Sequence, residues 1–170
     1  LIMPSESNSA ILSLYVYQAS LNNQPLLADW TLLQPRTEGT GGFAYAVFRN
    51  EGTNEIVIAY RGTDDVSDML TNTGLTIAQE RQAAVIAAQY IRQFGAENVS
   101  FTGYSMGGGL AATMAVWFNR PAVVFDPAPT QAVATDAAVV NRESGESGSD
   151  PHYHDAKPTL ASPSWPVSHV

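Results

Sequence analysis

The stretch Phe101-Thr102-Gly103-Tyr104-Ser105-Met106-Gly107-Gly108-Gly109 decides the fold. Gly103-Tyr104-Ser105-Met106-Gly107 is a Gly-x-Ser-x-Gly pattern, in which a chain reverses sharply from strand to helix with a serine at the apex. Glycines stand two before and two after that serine because side chains there would strike neighbouring backbone. The context carries the pattern. Asn98-Val99-Ser100-Phe101 reads as a short strand before it, and Leu110 to Phe118 as a helix after it. That helix is apolar nearly all round and must be covered on most sides.

Outward from this point the chain alternates. Upstream, Phe43 to Arg49 and Glu55 to Tyr60 are β-rich runs joined by Asn50-Glu51-Gly52-Thr53-Asn54, a hairpin signal. Ile56-Val57-Ile58-Ala59-Tyr60 is apolar on both faces and reads as a central strand. Thr76-Ile77-Ala78-Gln79 has the form of a capping box, opening a helix that runs to Phe94 and stops at Gly95. Ala122 to Phe125 reads as a further buried strand and Thr130 to Val140 as a helix. Near the start, Ser5 to Ser20 has roughly helical spacing, followed by a loop and a short extended piece, Trp30 to Leu33, closed by Pro35. Strands alternating with helices predict an α/β fold: a mainly parallel central sheet flanked by helices on both faces, in a minimal or truncated version. Residues 1–140 form this core. From 141 to 170 the composition turns to Ser, Pro, Gly, Asp, His and Glu without apolar periodicity, and an irregular tail is expected.

Composition narrows the function. A 170-residue chain suits one domain, and 45% hydrophobic residues suit a packed core. No run reaches the roughly 18 apolar residues of a membrane span. Without cysteine there is no disulfide and no thiol nucleophile. A formal charge of −8, with Lys157 as the single lysine, argues against a nucleic-acid groove or a polybasic lipid anchor. Leu1-Ile2-Met3-Pro4 shows no signal-peptide pattern, which fits a trimmed chain or a piece of something longer. A secreted or extracellular setting is nonetheless favoured.

A serine hydroxyl becomes a nucleophile when a base, normally a histidine held by a carboxylate, removes its proton. The tetrahedral intermediate then needs two N–H donors around its oxyanion. One belongs to the residue after the nucleophile, Met106. The second is expected from a loop after an earlier strand, and Arg61-Gly62-Thr63 directly follows Ile56 to Tyr60.

Together these residues resemble a family. Ile58-Ala59-Tyr60-Arg61-Gly62-Thr63, Asp68-Met69-Leu70 and Thr102 to Ala111 look like the class 3 lipases, and Phe125-Asp126-Pro127-Ala128-Pro129 resembles bacterial lipase-like proteins. The resemblance covers roughly residues 9–129. It implies an α/β-hydrolase that cleaves carboxylic esters of glycerolipids, with Ser105 as nucleophile and Thr63 and Met106 as oxyanion donors. Tyr104 and Met106 stand where the family usually has histidine and leucine. Members also place acid and histidine on loops well beyond the elbow, where this chain is short.

For the acid, Asp126 follows the strand after the elbow helix; Asp136 and Asp150 are the other candidates. For the base, His154 is chosen over His152 and His169, all three lying in the irregular tail. His152 and His154, two apart, lack further ligands at zinc-site spacing. Asp64-Asp65-Val66-Ser67-Asp68 lacks the glycine and glutamate of an EF-hand and reads as a helix cap. No cofactor or metal is therefore expected. Arg61 either clamps an anionic substrate group or, as favoured, pairs internally with a carboxylate. Val66 to Leu75 is either a short lid or a plain connection. The expected activity is a serine esterase or lipase acting on a small-molecule or lipid ester, with transient contact at a lipid interface. The alternatives are phospholipase A1 chemistry, or a hydrolase-like domain lacking a competent base and serving binding or structure.

Overall fold

The apolar run after the hairpin becomes β3 (Ile56–Arg61), flanked on both sides in a six-stranded sheet. In the computed structural model, which describes residues 4–18, 27–65, 67, 73–128 and 139–142, the strands lie in the order of the chain. They are β1 (Trp30–Glu38), β2 (Ala44–Asn50), β3, β4 (Val99–Tyr104), β5 (Ala122–Phe125) and β6 (Val139–Arg142). The first two pairings are antiparallel, and β3, β4, β5 and β6 run parallel. Helix α2 (Thr73–Phe94) makes the crossover from β3 to β4, and α3 (Met106–Phe118) makes that from β4 to β5. This is the expected α/β-hydrolase-like architecture.

Alternation along β3 explains why the run is apolar throughout. Ile56, Ile58 and Tyr60 face α2 and α3, where they meet Ala83, Ala87, Phe101, Leu110, Met114 and Phe118. Val57 and Ala59 face the other way, onto Leu12, Tyr15 and Val16 at the end of α1 (Glu6–Tyr15). A strand covered on both faces has no solvent side to mark with polar residues. The Tyr60 hydroxyl is satisfied inside the core by donating to the Ala83 carbonyl at 2.9 Å.

The hairpin turn forms as its composition predicts. Asn50 Oδ1 accepts from the N–H groups of Gly52 and Thr53, and Asn54 adopts φ 62°. Gly95, at φ 87°, ends α2 with its N–H on the Ile91 carbonyl.

Five boundaries depart from the sequence reading. Helix α1 ends at Tyr15, short of the expected Ser20. Strand β1 continues through Pro35 instead of stopping there. It is an edge strand, and its pairing with β2 shifts between Leu32 and Gln34 and again between Gln34 and Thr37, across the proline, so the missing N–H costs no ladder bond. Helix α2 begins at Thr73, three residues before the capping box, and Gln79 turns inward instead of capping. Helix α3 begins at Met106, directly at the elbow. Val139 and Val140, expected to end a helix, pair with β5 as strand β6, which crosses the expected limit of the core at residue 140. The rest of that helix reading, and the tail after 142, lie outside the described residues. In the described residues no helix is long and apolar enough to cross a membrane.

Helix α1 is tied to the sheet by a buried polar contact as well as by packing. Thr102 Oγ1 lies 2.7 Å from the Val123 carbonyl and 3.2 Å from the Ser9 carbonyl, so its proton is shared between β5 and α1. Thr102→Val keeps the shape and removes the donor. Urea unfolding is expected to show a loss of about 1–2 kcal/mol; an unchanged stability would mean that this hydroxyl ties nothing.

Candidate active site at the strand–helix elbow

Ser105 sits between β4 and α3 with φ 53° and ψ −116°, a conformation that non-glycine residues avoid and that costs on the order of 1–3 kcal/mol. Close backbone packing holds it there. A Cβ on Gly103 would lie 2.2 Å from the Gly107 carbonyl group, and one on Gly107 would lie 2.0 Å from the Tyr60 carbonyl oxygen. Backbone bonds complete the clamp. The Ser105 N–H donates to the Phe125 carbonyl at 2.8 Å, and the Ser105 carbonyl accepts from Ala128 N–H at 2.9 Å and Gly109 N–H at 3.0 Å. Although Ser105 occupies the N-cap position of α3, its side chain makes no capping bond. The hydroxyl is therefore not committed to the helix.

The two motifs noted in the sequence meet in space. A Cβ on Gly62 would lie 2.7 Å from Met106 Cβ, so the Arg61-Gly62-Thr63 loop rests directly on the residue after Ser105. Met106 is buried and opens α3, where the first-turn N–H groups lack partners within the helix and carry its positive dipole end. Gly42, at φ 80°, backs the other side of the loop: a Cβ there would lie 2.9 Å from Thr63 Cα.

Asp126 follows β5 with φ 42°, one residue beyond the carbonyl that receives the Ser105 N–H. The structure thus sets Asp126 beside the elbow, as the sequence reading anticipates. His152, His154, His169, Asp136 and Asp150 lie outside the described residues, as do most of the residues of the candidate lid. Arg61 pairs with Asp64 within its own loop, the internal pairing favoured from the sequence. Asp65 accepts from the N–H and hydroxyl of Ser67, and most of the short helix that it is read to cap lies outside the described residues.

Tyr17, just past α1, is a neighbour that the sequence did not single out. Its hydroxyl donates to the Tyr104 carbonyl at 2.7 Å, its ring meets that of Tyr104 edge-on, and the Arg61 guanidinium lies 5.5 Å from its centroid. One phenol thereby bridges the residue before Ser105 and the strand leading to Thr63. Burial pushes this phenol up to about 12, against a smaller downward pull from Arg61. No local signal marks Tyr17, since its role depends on where the end of α1 lands.

Two outcomes follow from this geometry. Gly107→Ala forces a methyl into the Tyr60 carbonyl and is expected to lower unfolding free energy by more than about 3 kcal/mol; a near-normal melting temperature would show that the elbow can relax. Tyr17 is protonated in both folded and unfolded protein below pH 10. Its contribution to stability is full there and is lost as pH rises through about 12, because the folded value is the raised one. Alkaline absorbance titration should lose one late-titrating phenol in Tyr17→Phe, and an unchanged curve would contradict the burial.

With this geometry in place, comparison with known proteins is informative. Residues 10–151 match the family model of the phospholipase-like group described as the Tle-like phospholipase domain. An extracellular phospholipase A1 of Serratia liquefaciens is 36% identical over 91 residues, which cover 51% of this chain and 28% of that protein. Among solved structures, the Lip2 lipase of Yarrowia lipolytica aligns with TM-score 0.53 at 14% identity, over 76% of this chain and 59% of the lipase. Lipase II of Rhizopus niveus aligns with TM-score 0.52 at 13% identity, over 72% and 61%. At such identities the likeness is one of fold. The chain thus spans less than two thirds of each of these relatives. The match over residues 10–151, which contains both the elbow and the Arg61-Gly62-Thr63 loop, shows that this chain belongs to the Tle-like phospholipase domain family.

Proposed function

We propose that the chain is a carboxylic-ester hydrolase of lipids that works through an acyl-enzyme on Ser105. The observation that carries this reading is the contact between Gly62 and Met106, which brings the Arg61-Gly62-Thr63 loop onto the strained elbow. In the proposed cycle Ser105 Oγ attacks the ester carbonyl carbon while an imidazole accepts the hydroxyl proton. The N–H groups of Thr63 and Met106 receive the oxyanion; each such donor is worth about 3 kcal/mol in acyl transfer. Collapse of the tetrahedral intermediate breaks the bond to the alcohol oxygen, which leaves with the proton from the imidazole. Water, deprotonated by the same imidazole, then releases the acid and restores Ser105. His154 is proposed as the base and Asp126 as the carboxylate that orients it, in the chain order Ser, Asp, His found on α/β-hydrolases.

The family and the Serratia relative support phospholipids as the substrate class, with phospholipase A1 chemistry as the specific form. The resemblance to class 3 lipases supports neutral glycerolipids as the competing substrate, through the same steps. The extracellular relative favours a secreted setting. Contact with substrate is proposed to be transient, at a lipid interface.

A fluorophosphonate probe is expected to label Ser105 stoichiometrically in the folded chain and to leave Ser105→Ala unlabelled. Ester turnover in His154→Ala should fall by about 10⁶-fold. Folded protein that takes up no label would end the acyl-enzyme reading. Labelling with full turnover in His154→Ala would move the base to another residue.

A further inference from the structure

Helix α2 sends two glutamines to the turn between β1 and β2, and they are treated differently. Gln82, on the outside, is satisfied at both ends: its Oε1 accepts from the Thr40 N–H at 2.9 Å and its Nε2 donates to the Thr40 carbonyl at 3.2 Å. Gln79 is wholly buried, at 0% exposure. Its Nε2 donates to the Gly41 carbonyl at 2.5 Å, while its Oε1 finds no hydrogen-bond partner among the described residues. That oxygen lies directly against the candidate oxyanion loop, since a Cβ on Gly62 would stand 2.9 Å from it.

A buried amide oxygen without a donor is a liability that an apolar side chain of similar length would avoid. Such groups persist where a site needs them. Here the amide joins three parts that are distant in the chain. It grips Gly41, whose neighbour Gly42 backs Thr63, and it underlies Gly62, which rests on Met106. Gly41 and Gly42 both have positive φ, at 65° and 80°, so this turn follows whatever holds it. The post itself is rigid, because Ala83, Ala87 and Ala88 of the same helix lie in the core.

We propose that Gln79 is a positioning residue for the oxyanion loop, holding Gly62 and Thr63 against Met106 at some expense in folding stability. This rests on the ester-hydrolase reading above. The amide touches no reacting atom. It acts by keeping the Thr63 N–H aimed at the place where the oxyanion forms, so its loss falls on the transition state and spares ground-state binding.

The test is Gln79→Met in the full chain, a swap of similar length that removes both amide atoms. The Gly41 carbonyl belongs to an exposed residue and can turn to water. With p-nitrophenyl butyrate as probe, kcat is expected to fall about tenfold or more, KM to stay within about twofold and the thermal midpoint to hold or rise. A purely structural role predicts the opposite pattern, a lower midpoint with normal kcat in the protein that remains folded. Undiminished kcat in Gln79→Met overturns the proposal, as does a variant that fails to fold or melts well below the unmodified chain. Absence of turnover in the unmodified chain overturns this proposal and the ester-hydrolase reading together. Turnover in the unmodified chain that Gln79→Met matches overturns this one alone.

Discussion

The approach of Gly107 to the Tyr60 carbonyl oxygen, within 2.0 Å of where a Cβ would stand, is the constraint on which the site depends. It sets the start of α3 against the end of β3, and so fixes where the chain must go after the elbow. Because Gly62 lies two residues beyond Tyr60, the same contact delivers the next loop to Met106. A chain that placed any side chain at position 107 would separate the strand end from the helix start, and the strained serine would lose its support from β3.

The strain at Ser105 is balanced by the neighbouring strand of the same sheet. Its N–H and carbonyl are both taken by the segment from Phe125 to Ala128, so β5 and the turn after it brace the elbow from below. This explains why the residue after β5, Asp126, arrives beside Ser105. In a parallel sheet the carboxyl ends of neighbouring strands share one edge, and the loops leaving that edge converge on one place. The loops after β3, β4 and β5 supply Thr63, Ser105 and Asp126 respectively. Tyr17 reaches that edge from α1 on the opposite face of the sheet and closes the space between the elbow and Arg61.

Where local chemistry decided the outcome, the sequence was legible. The hairpin at Asn50 to Asn54, the stop at Gly95 and the elbow are each set by a few adjacent residues whose backbone preferences agree. Where neighbours far along the chain decided, the reading went astray. Thr76 to Gln79 has the composition of a capping box, yet burial of Gln79 against a turn 38 residues earlier outweighed that local option. Pro35 would end a central strand, but at an edge it needs no donor and the strand runs on. Val139 and Val140 sit in a stretch rich in alanine and valine that suits a helix, and the open edge of β5 claimed them as a strand.

The sequence by itself determined the setting of Ser105: glycines at 103 and 107 admit a reversal that few other residues permit, and an apolar strand and helix on either side leave that reversal one form. It also determined that a second motif, Arg61-Gly62-Thr63, would follow a central strand. Only the tertiary structure decided that the two motifs touch, that Tyr17 spans them and that Gln79 lies beneath the loop. The reason is physical. Glycine and cap preferences act over a few bonds and are written in adjacent residues, whereas a contact between a helix and a turn exists only after the sheet has brought both to one edge.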